Sequence, residues 1–171
     1  MYIYIYMITH CSHLLKPIIN KESQILILGS FPSVMSRKSF YYGHKSNRFW
    51  KVLEAILNIE LYSKSPNEKA KILLDNKIAL YDVIEECDIS LSSDSSIKNV
   101  TPAPLQELIS SANIKLILLN GKKATSLFYK FFPDITLNVI SLPSTSSANA
   151  ACSLDNLIKK WRDALSPYIV K

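Results

Sequence analysis

Apolar residues fall along the chain in short runs separated by longer amphipathic stretches. Ile25-Leu26-Ile27-Leu28 ends at Gly29, and Ile78-Ala79-Leu80-Tyr81-Asp82-Val83-Ile84 is a less pure second run. Ile114-Lys115-Leu116-Ile117-Leu118-Leu119 and Leu137-Asn138-Val139-Ile140-Ser141-Leu142 follow. Runs this short and this rich in β-formers predict buried parallel strands. Between them the period lengthens. Over Arg48 to Leu57, the side chains Phe49, Val52, Leu53 and Ile56 share one helical face, with Asn47 where an N-cap would stand. Ser65-Pro66-Asn67-Glu68 has capping-box form with proline at the first helical position. Thr101-Pro102 predicts a helix start of the same kind, running to about Ser111. Gly121 to Phe132 predicts another helix, stopped by Pro133, and Ser153 caps a last one to about Leu165, stopped by Pro167.

Strands alternating with helices predict an α/β fold: a three-layer α/β/α sandwich around a central four-stranded, mostly parallel sheet. Residues 1–171 suit one domain, with residues 1–20 as an N-terminal extension. Sites on such sheets lie beyond the carboxyl ends of the strands. That rule nominates Gly29 to Asn47, Glu85 to Val100, Asn120 to Lys123, and Pro143 to Ala150.

Composition narrows the class. The chain is 48% hydrophobic and 20% charged, which argues against disorder. A formal net charge of +6 suits a polyanionic partner, nucleic acid or an acidic membrane surface, and equally suits plain solubility. Cys11, Cys87 and Cys152 form no CxxC pair, so no metal or iron–sulfur site and no cofactor is expected, and free thiols suit a reducing cytoplasm. Met1 to Met7 alternates Tyr2, Tyr4 and Tyr6 with Ile3 and Ile5, which reads as an edge strand or an adhesive tail. It is too short to span a bilayer and lacks the basic start of a signal peptide, so no membrane segment is expected.

The loops carry the chemistry. After the first strand come Gly29-Ser30-Phe31-Pro32-Ser33, then Arg37-Lys38, then Phe40-Tyr41-Tyr42-Gly43-His44-Lys45-Ser46-Asn47-Arg48-Phe49-Trp50. Three adjacent aromatics in a loop offer faces for stacking on bases, or else form a satellite hydrophobic cluster. Arg37, Lys38, Lys45 and Arg48 are placed to meet phosphates. Asn120-Gly121-Lys122-Lys123 opens a helix after a buried strand, where backbone amides and two lysines suit an anion. It lacks the GxxxxGK[ST] spacing of a nucleotide-phosphate loop. Pro143-Ser144-Thr145-Ser146-Ser147-Ala148-Asn149-Ala150 is small and hydroxyl-rich, able to approach a phosphate backbone closely or to serve as a plain connection.

GSFPS, FYYGHxxNRFW, LNGKKA and LPSTSSANA occur in this order between Ile25 and Trp161. Together they resemble the uracil-DNA glycosylase superfamily, and within it the hypoxanthine-DNA glycosylase branch. The mismatch-specific uracil/thymine branch is also similar in GHxxNRFW, but carries GINPG after its first strand. Phe31 stands where that branch has its water-activating asparagine. The resemblance implies the glycosylase form of the sandwich and a monofunctional enzyme of base excision repair. That enzyme would flip a deaminated base, hypoxanthine first, from DNA and hydrolyse its N-glycosidic bond. It further implies Asn47 and His44 as catalytic residues. Gly29, Ser30, Phe31, Pro32, Ser33, Tyr42 and Asn120 would line the base pocket, with Tyr42 stacking on the base. Arg48, Lys122, Lys123, Pro143, Ser144, Thr145 and Ser146 would contact DNA. Taken without the resemblance, Asn47 reads as a helix cap, and one side chain has two competing roles.

A lysine nucleophile would make the enzyme a lyase, with Lys98, Lys122 and Lys123 in the nominated loops, but nothing visible lowers their pKa. Asp94, with turn residue as its plainer reading, is the other carboxylate expected near the site. The partner implied is DNA carrying a deaminated base, with the enzyme acting as a cytoplasmic monomer and needing no metal or membrane. Three alternatives stay open: a uracil/thymine mismatch glycosylase, a non-catalytic DNA-binding module, and a nucleoside hydrolase.

Overall fold

A computed structural model describes residues 8–90 and 96–169. In chain order the elements are β1 (Thr9–Ser12), β2 (Ile25–Gly29), α1 (Val34–Lys38), α2 (Phe49–Leu57), α3 (Pro66–Asp75) and β3 (Ile78–Asp82). There follow β4 (Ile84–Ile89), β5 (Lys98–Pro102), α4 (Leu105–Ser110), β6 (Leu116–Asn120), α5 (Lys122–Phe131), β7 (Asn138–Leu142) and α6 (Leu154–Leu165). The central sheet has the order β3-β2-β6-β7, and all three of its pairings are parallel. Every residue of β2, β3 and β6 is buried, as strands covered on both faces must be. The predicted three-layer α/β sandwich is therefore present. Leu157, Trp161 and Leu165 of α6 enter the core, as do Phe49, Val52 and Leu53 of α2.

Three predicted features are corrected. The second apolar run does not continue as one strand to Ile84: β3 stops at Asp82, level with Gly29 of β2. The chain then turns, with Val83 N–H donating to Gly29 O and Ile84 N–H to Ser30 O. The segment Glu85 to Val100, expected as a loop, supplies β4 and β5 of a second sheet in the order β1-β4-β5, antiparallel throughout. Register shifts in the β4–β5 pair break the alternation that would have advertised these strands. Thr101-Pro102 closes β5 rather than opening a helix. Ala103 N–H bonds Val83 O, which keeps the backbone extended, and α4 begins only after Pro104.

The capping box at Ser65, with Pro66 and Glu68, is present, and Ser153 caps α6 through its side chain. The N-cap of α2 is Arg48, one residue beyond the predicted Asn47. Within the described part of the N-terminal extension, β1 pairs with β4, Ile18 bridges to Leu80, and Tyr41 Oη–H donates to Lys16 O. The alternating Tyr2, Tyr4 and Tyr6, and Asp94, lie outside the described residues. Among the described residues no helix is long and apolar enough to cross a membrane.

Candidate active site

Above the carboxyl ends of β2, β3 and β6 lies a cleft of about 410 Å³. Its walls are Gly29 to Ser33, Ser36, Tyr41, Tyr42, Asn47, Asp82, Asn120, Ser144 to Ser146 and Ala148. The strand ends dictate the arrangement. Gly29 and Asp82 are register partners at the ends of β2 and β3, and Asn120 ends β6. A Cβ at Gly29 would collide with Asp82 Oδ1 and stand 2.8 Å from Tyr42 Oη, so only glycine leaves room for both groups above the strand end.

All seven predicted base-pocket residues line this cleft. Tyr42 adopts φ 52°, a left-handed conformation that costs a tyrosine energy and is held by its surroundings. Its ring stacks on Phe49 with centroids 4.0 Å apart. Phe31 meets the Arg37 guanidinium 5.4 Å above its ring, while Arg37 also donates to Pro32 O. Ser33 Oγ caps α1, fixing the end of the first motif.

Asn47 lies at the end of a side-chain relay. Asn120, 9% exposed, and Thr145, fully buried, form a double bond pair. Asn120 Nδ2–H donates to Thr145 Oγ1 at 3.0 Å, and Thr145 N–H donates to Asn120 Oδ1 at 3.0 Å. The Thr145 hydroxyl then donates to Asn47 Oδ1, also at 3.0 Å. A second donor, Phe49 N–H, reaches the same oxygen at 3.0 Å. Both lone pairs of Oδ1 are thus occupied, and the amide's sense is fixed. The end left for the cleft is Nδ2, which has two N–H donors. From one residue before the N-cap, Oδ1 thus holds the first N–H of α2, and the opposite end of the same amide is left for the cleft.

Several predicted DNA contacts are redistributed. Arg48 spends its guanidinium on the last loop, donating to the carbonyls of Thr145, Ser146, Asn149 and Cys152. Its backbone N–H also bonds Thr145 O. That is a loop clamp, with little left for a phosphate. Thr145 belongs to the relay and is fully buried in the wall of the first cleft. Lys122, Lys123, Pro143, Ser144 and Ser146 instead line a second cleft with Asn156 and Lys160. Ser144, Ser146 and Ala148 border both clefts, so the 143–150 loop is the ridge between them. Gly121 at φ 99° lets the start of α5 pass close to Ser144. His44 is exposed and lines neither cleft. Its Nδ1 accepts from Ser46, whose hydroxyl lies 3.1 Å from that of Ser147, so His44 marks the rim.

Sequence reasoning missed Asp82, Tyr41 and His13. Asp82 is 3% exposed, and its Oδ2 lies 2.7 Å from His13 Nε2. Burial first, then the charge of Asp82, drives the Tyr41 hydroxyl upward, while burial, Glu85 and Asp82 push Tyr81 up to about 12. Both phenols stay neutral beside the carboxylate. Asp82 was legible in principle, as a polar residue closing an apolar run opposite Gly29. His13 left no signal, standing alone before the first run.

The motif order and the cleft at the strand ends agree with what is known of one family. The model described as the uracil DNA glycosylase superfamily matches residues 17–165. The chain belongs to that superfamily. Among superfamily relatives, a Methanosarcina acetivorans protein named hypoxanthine DNA glycosylase is 32% identical over 148 residues, covering 84% of this chain and 91% of the relative. A protein of the same name from Methanosarcina barkeri is 39% identical over 110 residues, covering 63% of this chain and 70% of the relative. The solution NMR structure of a Methanosarcina acetivorans protein, provisionally assigned as a uracil DNA glycosylase, superposes with a TM-score of 0.74 at 29% identity. That superposition covers 87% of this chain and 95% of the other.

Proposed function

We propose that this superfamily member is a monofunctional DNA glycosylase that removes deaminated bases, hypoxanthine foremost, in base excision repair. The observation that carries the reading is the Asn47 amide, tethered through Oδ1 and presenting Nδ2 at a cleft lined by GSFPS and Tyr42. Phe31 stands where the mismatch branch has its asparagine, and both ends of the Asn120 amide are paired with Thr145, which favours Asn47 as the amide that serves the cleft. The two relatives named hypoxanthine DNA glycosylase support the choice of base.

The target nucleotide is extruded at a cost of a few kcal/mol in stacking and pairing. Its base stacks on Tyr42 against Gly29 to Ser33. The C1′–N bond breaks with its electron pair leaving on the base, and water adds to C1′ as the base takes up a proton. Asn47 Nδ2–H donates to the departing base or to the water's oxygen as charge develops. The backbone of the damaged strand follows the 143–150 ridge, with Lys122 and Lys123 on its phosphates and His44 at the rim. Among the described residues that line the first cleft there is no lysine, which supports simple hydrolysis over Schiff-base chemistry. The enzyme acts as a monomer in the cytoplasm.

Labelled duplexes carrying hypoxanthine, uracil, xanthine or thymine test the reading with wild type and Asn47→Ala, with melting followed in parallel. Hypoxanthine should be released fastest, and Asn47→Ala should lose at least about a hundred-fold in rate while remaining folded. Full activity in Asn47→Ala would sink the assignment. Preference for uracil or thymine would move the enzyme to the mismatch activity. Tight binding of abasic DNA with no release of any base would make it a binding module. Borohydride trapping of a covalent adduct would refute the monofunctional mechanism.

A further inference from the structure

His13 lies on the segment that precedes the 17–165 span matched by the superfamily, directly after β1. Its backbone N–H bonds Glu85 O at 2.7 Å, which continues the β1–β4 ladder and drives the side chain inward. The ring is fully buried, with the rings of Tyr81, Phe31 and Tyr41 at 4.5, 5.9 and 5.9 Å. Two of those rings, Phe31 and Tyr41, are walls of the first cleft. Nε2 meets Asp82 Oδ2 at 2.7 Å, and Nδ1 has no hydrogen-bond partner among the described residues. Asp82 itself lines the cleft, with its other oxygen, Oδ1, directly over Gly29. A buried imidazole–carboxyl hydrogen bond with one ring nitrogen left unbonded is poor glue, because desolvation offsets most of its attraction. Its placement at the floor of a cleft is what such a pair is worth.

We propose that His13 is a positioning residue that holds Asp82 by one oxygen so that the other faces the cleft as a fixed acceptor. The cleft then selects bases that present a ring N–H. The inference rests on the glycosylase reading above and adds to it the device that tells hypoxanthine from adenine and uracil from cytosine. A carboxylate accepts hydrogen bonds and donates none. Deamination converts the bare ring nitrogen of adenine N1 into the N1–H of hypoxanthine, and does the same at N3 when cytosine becomes uracil. An oxygen fixed over Gly29 accepts that N–H and meets the lone pair of adenine N1 or cytosine N3 with repulsion. Sites built around such a buried bond reject partners that lack it strongly. Freed from His13, the carboxylate could turn about its χ angles and the acceptor would lose its fixed direction.

Single-turnover excision of hypoxanthine and of unsubstituted purine, whose N1 is a bare acceptor, tests this. Intrinsic differences between the two leaving groups cancel when their rate ratio is compared across variants. Wild type should favour hypoxanthine. His13→Phe keeps the ring and removes the donor, and should lower the ratio at least about ten-fold. His13→Gln, whose amide donor reaches the place of Nε2, should hold the ratio within about three-fold of wild type. Asp82→Asn, nearly isosteric, should lower the ratio as His13→Phe does and serves in its place if that variant does not fold. An unchanged ratio in His13→Phe or Asp82→Asn, with both rates lowered together, would reduce the pair to scaffolding and overturn the proposal. Wild type that releases neither base would overturn the glycosylase reading itself, whereas an unchanged ratio with active wild type defeats only the role of His13 and Asp82.

Discussion

Thr145→Val isolates the relay from everything else in the cleft. Valine keeps the volume of threonine at a fully buried position and deletes only the hydroxyl. Two bonds go: the one accepted from Asn120 Nδ2 and the one donated to Asn47 Oδ1, both 3.0 Å. The backbone bond from Thr145 N–H to Asn120 Oδ1 survives. The buried Asn120 N–H is left unbonded, at about 1–3 kcal/mol, and Asn47 Oδ1 keeps Phe49 N–H, so its share of the loss is small. A net loss of roughly 2 kcal/mol corresponds, for a chain of this size, to a melting point lower by about 4–8 °C. The catalytic loss should exceed what stability explains. Asn47 retains one tether instead of two, and small displacements of a reacting group cost up to about a hundred-fold. Single-turnover release of hypoxanthine, measured well below both melting points, should fall about 10- to 100-fold, with DNA affinity little changed. Thr145→Ser, which keeps the hydroxyl, should retain most of the rate. Thr145→Val turning over at the wild-type rate despite a lower melting point would refute the relay, as would Thr145→Ser losing as much as Thr145→Val.

Arg48→Lys should destabilise by roughly 3 kcal/mol in urea unfolding and expose the 143–152 loop to protease, since an ammonium cannot span the four carbonyls that the guanidinium fork holds. A small loss confined to the salt dependence of DNA binding would instead return Arg48 to the phosphates. Gly29→Ala should lose about 1–3 kcal/mol and most excision activity, because its Cβ displaces Asp82 Oδ1 and the Tyr42 hydroxyl; wild-type melting and turnover would contradict the close approach. The Glu54 carboxylate accepts Leu61 N–H at 2.8 Å and Tyr62 N–H at 3.0 Å, and those bonds hold its pKa below the ordinary value. The folded value being the lower one, its stabilisation is present above the unfolded pKa, about 4.3, and is lost as pH falls through the folded value. The melting difference between wild type and Glu54→Gln should therefore be largest near neutral pH and shrink below about pH 4, and a difference that grew on acidification would reverse the sign.

What the sequence disclosed follows from how each residue is held. The strands β2 and β6 were legible because buried parallel strands carry apolar runs, and β7, a half-exposed edge strand, because its run still holds Val139, Ile140 and Leu142. The caps at Ser65 and Ser153 were legible because capping is written in adjacent residues. The second sheet was hidden because β4 and β5 pair through shifted registers and carry Glu85, Glu86, Asp88 and Lys98 on their open sides. In the site, the pocket residues after β2 were found because they are contiguous and follow a strand. His13 and Asp82 were missed because their pairing joins positions 69 residues apart, which no local pattern records. Arg48 shows the converse failure. A basic residue beside an aromatic motif reads as a phosphate contact, yet its partners are four carbonyls about a hundred residues further along the chain. Asn47 lies between these cases. Its place at the expected N-cap of α2 made capping and catalysis look exclusive. The three-dimensional arrangement resolves the conflict by polarity, since capping needs an acceptor and the cleft is offered a donor, and one amide carries both. The same bonds that cap α2 and join Thr145 also prevent the amide from flipping. An asparagine whose oxygen was free would present the cleft with an unpredictable mixture of donor and acceptor. The bonds from Phe49 N–H and the Thr145 hydroxyl are therefore the source of the precision that the proposed chemistry requires.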